Sequence, residues 1–275
     1  MSSSVSGAPC VSIAMATYNC APTLRDALDS IEKQTLAGWE LIVCDDASTD
    51  GSLAILEEFA MRHPGQVTVL RNETNQKLAY SLNRCLAECS GEFIARMDGD
   101  DRSYPERLEI QRHFLVEHPR VQVVGTAMRR FDDKGEHDVV RFPRSPDRWA
   151  LRELRAPFAH ATIMMRRATY EALGGYTVAP RTRRGQDLDL WFRFFHEGYV
   201  GANIQEPLYW VREDIAAIRR RGFKTRWMAF QTTIIGFRML DYPVHWYARP
   251  VFELAKALIP PKVMLIYRRW QARNN

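Results

Sequence analysis

The sequence predicts an α/β protein, with a mostly parallel central sheet flanked by helices and a helical C-terminal extension. Three observations carry this reading. Between Val11 and about Met128 the chain repeats a short apolar run, a polar or glycine-bearing turn and an amphipathic helical stretch. Each apolar run has the length and branched character of a strand buried on both faces, as in a parallel sheet covered by helices. After Met128 the alternation weakens, and beyond Ile215 the chain reads as mostly helical and basic, interrupted by Pro243, Pro250, Pro260 and Pro261. A chain of 275 residues fits one large domain and buries about three quarters of its unfolded surface. Residues 10–214 are expected to form that domain, with 1–9 a flexible N-terminus and 215–275 the extension. A composition of 46% hydrophobic and 26% charged residues excludes a wholly disordered, collagen-like or coiled-coil chain.

The expected strands are Val11–Ala16, Trp39–Cys44, Val67–Leu70, Phe93–Met97 and Val121–Thr126. The first helix opens at Pro22, suited to a first helical turn, and sets Leu24, Ala27, Leu28 and Ile31 in one stripe. Ser48, Thr49 and Asp50 cap the next helix, which carries Leu53, Leu56 and Phe59. A helix over Leu78–Cys89 puts Leu82, Cys85, Leu86 and Cys89 on one face, so both cysteines are expected in the core. Pro105 opens another helix. An edge strand is expected around Val139–Phe142, a short helix after Pro146, and amphipathic units over Arg167–Leu173 and Asp187–Glu197, closed by glycines. Trp191, at helical spacing with Phe194 and Phe195, reads as core more readily than as a platform for a sugar.

The five cysteines are odd in number and form no C-x-x-C pair, which argues against a disulfide framework or structural zinc and favours a reducing compartment. The N-terminus lacks the basic and apolar regions of a secretory signal, and no uncharged apolar window is long enough to span a bilayer. A cytoplasmic protein, at the inner face of the cell membrane, is the expectation. Net charge is +5, with the surplus in the tail, where Arg219, Arg220 and Arg221 are consecutive. Near the end, Val263, Leu265, Ile266 and Trp270 lie beside Lys262, Arg268 and Arg269, a composition suited to peripheral membrane contact or to packing against the domain.

In open α/β sheets, ligands bind beyond the carboxyl ends of the strands. Here the first strand runs into Thr17-Tyr18-Asn19, the second into Asp45-Asp46-Ala47-Ser48-Thr49-Asp50, and the fourth into Asp98-Gly99-Asp100-Asp101. Acidic clusters meeting at one edge repel each other unless a cation joins them. Asp98, Asp100 and Asp101 offer hard oxygen ligands, which suit Mg²⁺ or Mn²⁺, and such an ion also binds phosphate oxygens. A nucleoside diphosphate is therefore the expected co-ligand, although an isolated D-x-D also fits a capped turn. Asp46 follows a buried strand and is placed to accept a hydrogen bond from a nucleobase.

The ordered blocks VSIAMATYN, WELIVCDDASTDGS, NRCLAECSGEFIARMDGDD, FAHATIMMRRATYEALGGY and GQDLDLWFRF, across about residues 10–212, resemble the nucleotide-sugar-dependent glycosyltransferases of family 2, with their GT-A fold. The resemblance implies that Thr17 and Tyr18 line the base pocket and that Asp46 bonds the base. It implies that Asp98 and Asp100 hold the ribose and the metal-bound diphosphate, with Asp100 and Asp101 as metal ligands. Asp187 matches the catalytic base, which takes the proton of an acceptor hydroxyl during a single inverting displacement. His160 and Arg212 fall on the acceptor or phosphate side, and Arg84 near the nucleotide or as an exposed helix charge. The acceptor implied is a glycan or lipid-linked glycan of a surface polysaccharide. Thr177–Gly185, directly before Asp187, is the candidate for a closing loop. Three departures stand out: Gln186 replaces the usual Glu, Asp214 replaces a His, and Lys77 stands where relatives commonly have glycine, placing a cation near the diphosphate.

Two other readings are weaker. A nucleotidyltransferase should carry a glycine-rich, basic phosphate loop after the first strand, and Ala16–Pro22 has neither feature. A nucleic-acid or other basic surface-binding protein would set acidic strand ends against a phosphate backbone, and no zinc-finger or RNP-like motif is present, so no nucleic-acid partner is expected.

Overall fold

The computed structural model describes residues 9–213 and 223–255. The expectations for residues 1–8, for Asp214 and Arg219–Arg221, and for the membrane-directed run from Lys262 to Arg273 lie outside the described residues. The five apolar runs all become strands: β1 (Val11–Thr17), β2 (Trp39–Asp45), β3 (Val67–Arg71), β4 (Phe93–Asp98) and β6 (Val121–Asp132). Four more complete the sheet: β5 (Arg102–Ser103), β7 (Gly135–Val140), β8 (Met164–Arg166) and β9 (Val200–Arg212). The order is β3-β2-β1-β4-β8-β6-β9-β5, with β7 paired to β6. The β3-β2-β1-β4 half and the β6-β9 pair are parallel, while β8 runs antiparallel to both β4 and β6.

Three strands depart from the sequence expectation, for identifiable reasons. β8 is three residues long, with Met164 and Met165 both buried, so it shows no alternation. β9 carries Asn203, Gln205, Glu206 and Pro207 within a strand, and its pairing register shifts beside Pro207, where a missing N–H is tolerated. β5 has two residues, too few for a pattern. The edge strand starts at Gly135 rather than near Val139, because β7 is a polar, solvated hairpin arm.

Alternate residues of the central strands feed two cores. Ile13 and Met15 face α1 (Ala21–Glu32), α2 (Ser52–Arg62) and α4 (Arg107–Glu117), through Leu24, Leu28, Leu56, Phe59 and Leu108. Ala14 and Ile94 face α3 (Leu78–Glu88), α6 (Arg167–Ala172) and α7 (Gln186–His196), through Leu82, Cys85, Tyr170 and Trp191. Cys85 and Cys89 are buried, as the helical stripe implies. Trp191 packs 4.7 Å from the Phe158 ring and is core, not a sugar platform. A short helix, α5 (Arg148–Arg152), follows Pro146.

Of the extension, α8 (Phe223–Met239) and α9 (Ala248–Ala255) are described. α8 lies on α7, with Phe237 edge-on to Phe192 at 6.1 Å, and Thr232 Oγ1 donates to the Arg181 carbonyl at 3.4 Å. The helices meet through Gly236, where a Cβ would fall 2.2 Å from the Phe192 ring. Among the described residues no helix is long and apolar enough to cross a membrane. Gly236→Ala is expected to destabilise the protein by about 1–3 kcal/mol through overpacking, read from urea unfolding midpoints.

Candidate active site

Parallel register brings the carboxyl ends of β1, β2 and β4 to one edge, pairing Thr17 with Asp45 and Ala16 with Asp98. The loops beyond them are knitted together. Asn19, in the left-handed region at φ 51°, accepts from the Thr49 N–H at 2.8 Å, and Ser48 Oγ accepts from the Asn19 N–H. Asp50 accepts from the first N–H groups of α1 and α2, those of Ala21 and Ser52, while the N-cap positions are Cys20 and Gly51; Ser48 and Thr49 are drawn to Asn19 and do not cap α2 as expected. Thr17 is buried and its Oγ1 has no partner, while Tyr18 is half exposed. Asp45 accepts from the Ser48 N–H through Oδ2, but its buried Oδ1 is unsatisfied.

Asp46 anchors the loop after β3. Its Oδ1 accepts from Asn72 Nδ2 at 2.6 Å and from the Gln76 N–H at 2.8 Å, and its Oδ2 from the Lys77 N–H at 2.9 Å. A carboxylate has about four acceptor sites, so one remains. Arg84 donates to the Arg71 carbonyl and to Asn72 Oδ1, and thereby fastens the end of β3.

The turn after β4 gathers Asp98, Asp100 and Asp101, which can each offer a carboxylate oxygen within 4.8 Å of the others. Gly99 fits between them because a Cβ there would sit 3.0 Å from Thr17 Cγ2 and 3.1 Å from Cys20 Sγ. The buried Arg96 grips both oxygens of Asp98 with a two-pronged ion pair. The Asp98 N–H donates to Tyr209 Oη, whose ring lies 4.7 Å from the Arg107 guanidinium. Arg107, also buried, bonds Gln111 and the Arg96 carbonyl; burial pulls its pKa down to about 10. Burial, followed by the charge of Asp98, raises the carboxyl pKa of Asp100. Asp101 is raised well above the carboxylate range by burial and then by Asp98 and Asp100, although it accepts from the Arg212 N–H at 2.8 Å. Arg96 therefore answers one charge of three. The unanswered pair, all hard oxygen, fits a divalent cation.

Facing this turn, α7 begins at an uncharged N-cap, Gly185, in the left-handed region at φ 83°. Asp187 thus lies inside the first helical turn rather than at the cap. It is half-buried, and burial raises its pKa against the pull of its own and the Leu188 backbone N–H groups. Arg96 and then Asp98 act on it electrostatically, so it lies within range of the β4 turn. Asp189 has a different task. It is buried, accepts from Thr177 Oγ1 and Arg181 at 2.5 Å and from Arg193 at 3.0 Å, and so pins the 177–185 loop. Burial would push its carboxyl up, but these three partners hold it below the usual range.

His160 Nε2 lies 2.8 Å from Tyr176 Oη, which lies 3.1 Å from Tyr170 Oη. Burial and then Arg96 drive the imidazole pKa well below its ordinary value, so His160 is neutral. Arg212 brackets the acidic turn from the other side, with Nη1 2.7 Å from Asp133 and its ring contact on Phe131 at 4.7 Å. Asp98, Asp100, Asp101, His160 and Asp187 thus all lie within electrostatic reach of Arg96, and Arg212 joins the acidic turn through Asp101, with Thr17, Tyr18 and Asp46 on the neighbouring strand ends. Sequence reasoning missed Arg96, Arg107, Tyr209 and Tyr176. A charged residue inside the apolar run Phe93–Met97 was the available signal for Arg96, since arginine is almost never fully buried unless paired.

A cluster of three carboxylates at a strand end, on a curled, mostly parallel sheet flanked by helices, marks a glycosyltransferase of the GT-A fold. The chain belongs to glycosyltransferase family 2: the family model described as "Glycosyl transferase family 2" matches residues 12–174. It is 43% identical over 269 residues to the putative glycosyltransferase EpsE of Bacillus subtilis (strain 168), covering 97% of this chain and 95% of that one. It is 30% identical over 203 residues to the amylovoran biosynthesis glycosyltransferase AmsE of Erwinia amylovora, covering 73% and 74%. The fold matches the mannosyltransferase PcManGT of Pyrobaculum calidifontis, solved in complex with GDP-Man and Mn²⁺, with a TM-score of 0.62 at 22% identity over 98% of this chain and 82% of that one.

For carboxylates whose folded-state pKa is raised, ionisation penalises the folded state as pH rises through that pKa, and protons compete with a metal for the same oxygens. Mn²⁺ is therefore expected to raise the melting temperature more at about pH 8 than at about pH 5.5. Asp101→Asn should shrink that increment in thermal-shift measurements while leaving the metal-free protein at least as stable as the unaltered chain.

Proposed function

We propose that the protein transfers a sugar from a nucleoside-diphosphate sugar to a hydroxyl of a glycan or lipid-linked glycan acceptor, by a single displacement with inversion. The observation that carries this reading is Asp187, a carboxylate of raised pKa in the first turn of α7, within electrostatic range of the Asp98–Asp101 turn. The base would lie against Thr17 and Tyr18 and use the remaining acceptor site of Asp46, and Asp98 and Asp100 would hold the ribose and diphosphate. Asp100 and Asp101 would hold Mn²⁺ or Mg²⁺. That ion supplies Lewis-acid stabilisation of charge on the departing diphosphate.

The rest belongs to the chain. Asp187 takes the proton of the acceptor hydroxyl, and its raised pKa makes it a stronger base than an ordinary carboxylate. Neutral His160, steadied by Tyr176, offers a hydrogen bond on the acceptor side without adding charge next to Arg96. Arg212, tied to Asp133 and the Asp101 turn, holds the far wall of the phosphate site. Asp189 keeps the 177–185 loop seated, so Asp187 presents from a fixed helix. Synthesis of a surface polysaccharide at the inner face of the cell membrane suits this chemistry, and the AmsE name supports it. The exposed Phe223, Trp227, Val251 and Phe252 of the extension fit peripheral membrane contact.

Asp187→Asn should lower nucleotide release from a turned-over donor by about 10²–10⁴-fold while keeping the thermal shift given by a nucleoside diphosphate. Since the working form is the carboxylate, kcat/KM should fall on acidification through a pKa above the ordinary aspartate value. Retained turnover in the variant rejects the assignment. Removal of residues 243–275 should reduce sedimentation with anionic vesicles, and equal binding of the shortened chain rejects membrane contact.

A further inference from the structure

The geometry points to an anion subsite for a diphosphate group, formed by Lys77 and Arg183 between the loop after β3 and the loop before α7. It deepens the transferase reading, on which the identity of the group rests.

A cavity of about 240 Å³ opens between the loop after β3 and the loop before α7, lined by Asn75, Gln76, Lys77, Ala79, Pro180 and Arg183 among others. That volume is below the roughly 300 Å³ at which pockets for whole small molecules begin, so it fits a group of a ligand rather than a nucleotide sugar. Its lining holds two cations and no acid. Neither cationic side chain has a hydrogen bond or ion pair among the described residues. Neighbouring arginines are committed: Arg84 to the end of β3, Arg181 and Arg193 to Asp189. The buried Asp46, which holds the Lys77 N–H, spends its oxygens on Asn72 and the backbone of Gln76 and Lys77. Among the described residues no acid answers this pair of positive charges.

The backbone supplies the independent argument. Lys77 sits at φ 75°, ψ 164°, a region that glycine alone occupies at no cost. The conformation is over-determined: its N–H is held by Asp46, and its carbonyl accepts from the Ser81 N–H at 3.2 Å and Ser81 Oγ at 3.3 Å. Glycine would make the same turn without strain. A lysine kept there, exposed and lining the cavity, is held at an energetic cost, and an outlier of this kind marks a functional position. Arg183, two residues before Gly185, brings the second charge from the loop that leads to Asp187. A diphosphate carries the charge that two unpaired cations call for, and its source is either the donor or a diphosphate-linked acceptor.

The test uses the full chain and the variants Lys77→Gly and Arg183→Gln. Lys77→Gly should keep or raise the melting temperature, because strain is relieved. Each variant should weaken inorganic pyrophosphate binding about tenfold in calorimetric titrations. If the donor is the source, affinity for a nucleoside diphosphate falls while that for the free nucleoside does not. If the acceptor is the source, nucleoside-diphosphate affinity stays and the KM for a diphosphate-linked acceptor rises. Unchanged pyrophosphate affinity together with unchanged KM for donor and acceptor overturns the subsite. Absence of any nucleoside-diphosphate binding by the unaltered chain would instead sink the donor reading, and the pyrophosphate titrations would still judge Lys77 and Arg183.

Discussion

The ion pair between Arg96 and Asp98 is the constraint around which the cleft is arranged. A guanidinium buried in the middle of a β-strand is tolerable only if a carboxylate meets it, and removing one partner of such a pair costs about 3–5 kcal/mol. Asp98 is that carboxylate, and its part-exposed side chain meets the guanidinium with both oxygens. The consequence reaches past the pair. Arg96 also acts on His160, Tyr176 and Asp187, keeping the imidazole neutral and tempering the rise in the aspartate pKa. Burial sets the direction of all three shifts, and this one positive charge reinforces it at His160 and opposes it at Tyr176 and Asp187.

Beneath it, Arg107 extends the arrangement into the core. It rests on the Tyr209 ring and bonds backbone carbonyls where β4 passes beside β8, the point where the sheet changes direction. Gln111 does the same for Val124 and Thr162. Polar side chains from α4 thus satisfy backbone groups left over by a three-residue antiparallel insertion, so the irregularity of the sheet and the position of the acidic turn are secured by the same residues.

How much of this was legible in the sequence depended on the physical kind of signal. Runs such as Val11–Ala16 and Trp39–Cys44 are strands because both faces are buried, and burial writes itself into composition. The acidic ends after them were equally plain. β9 was not legible, since Pro207 and three polar residues interrupt any apolar pattern, and its pairing is fixed by β6 instead. Asp187 and Asp189 illustrate the limit within the site. Their 200° separation on a helix shows that they face apart, but only the positions of Arg181, Arg193 and Thr177 show that Asp189 is a clamp. Arg96 was visible as an anomaly, and its partner two residues on was not, because a strand normally puts residues i and i+2 on the same face without saying whether they touch.

Gly99 carries a mechanical implication. With no room for a Cβ between it and the methyl of Thr17 or the thiol of Cys20, Gly99 lets the acidic turn lie close against the end of β1 and the loop after it. The opposite wall is braced separately, by Asp189 on Thr177, Arg181 and Arg193 and by α8 lying on α7, so each wall of the site is held by its own contacts.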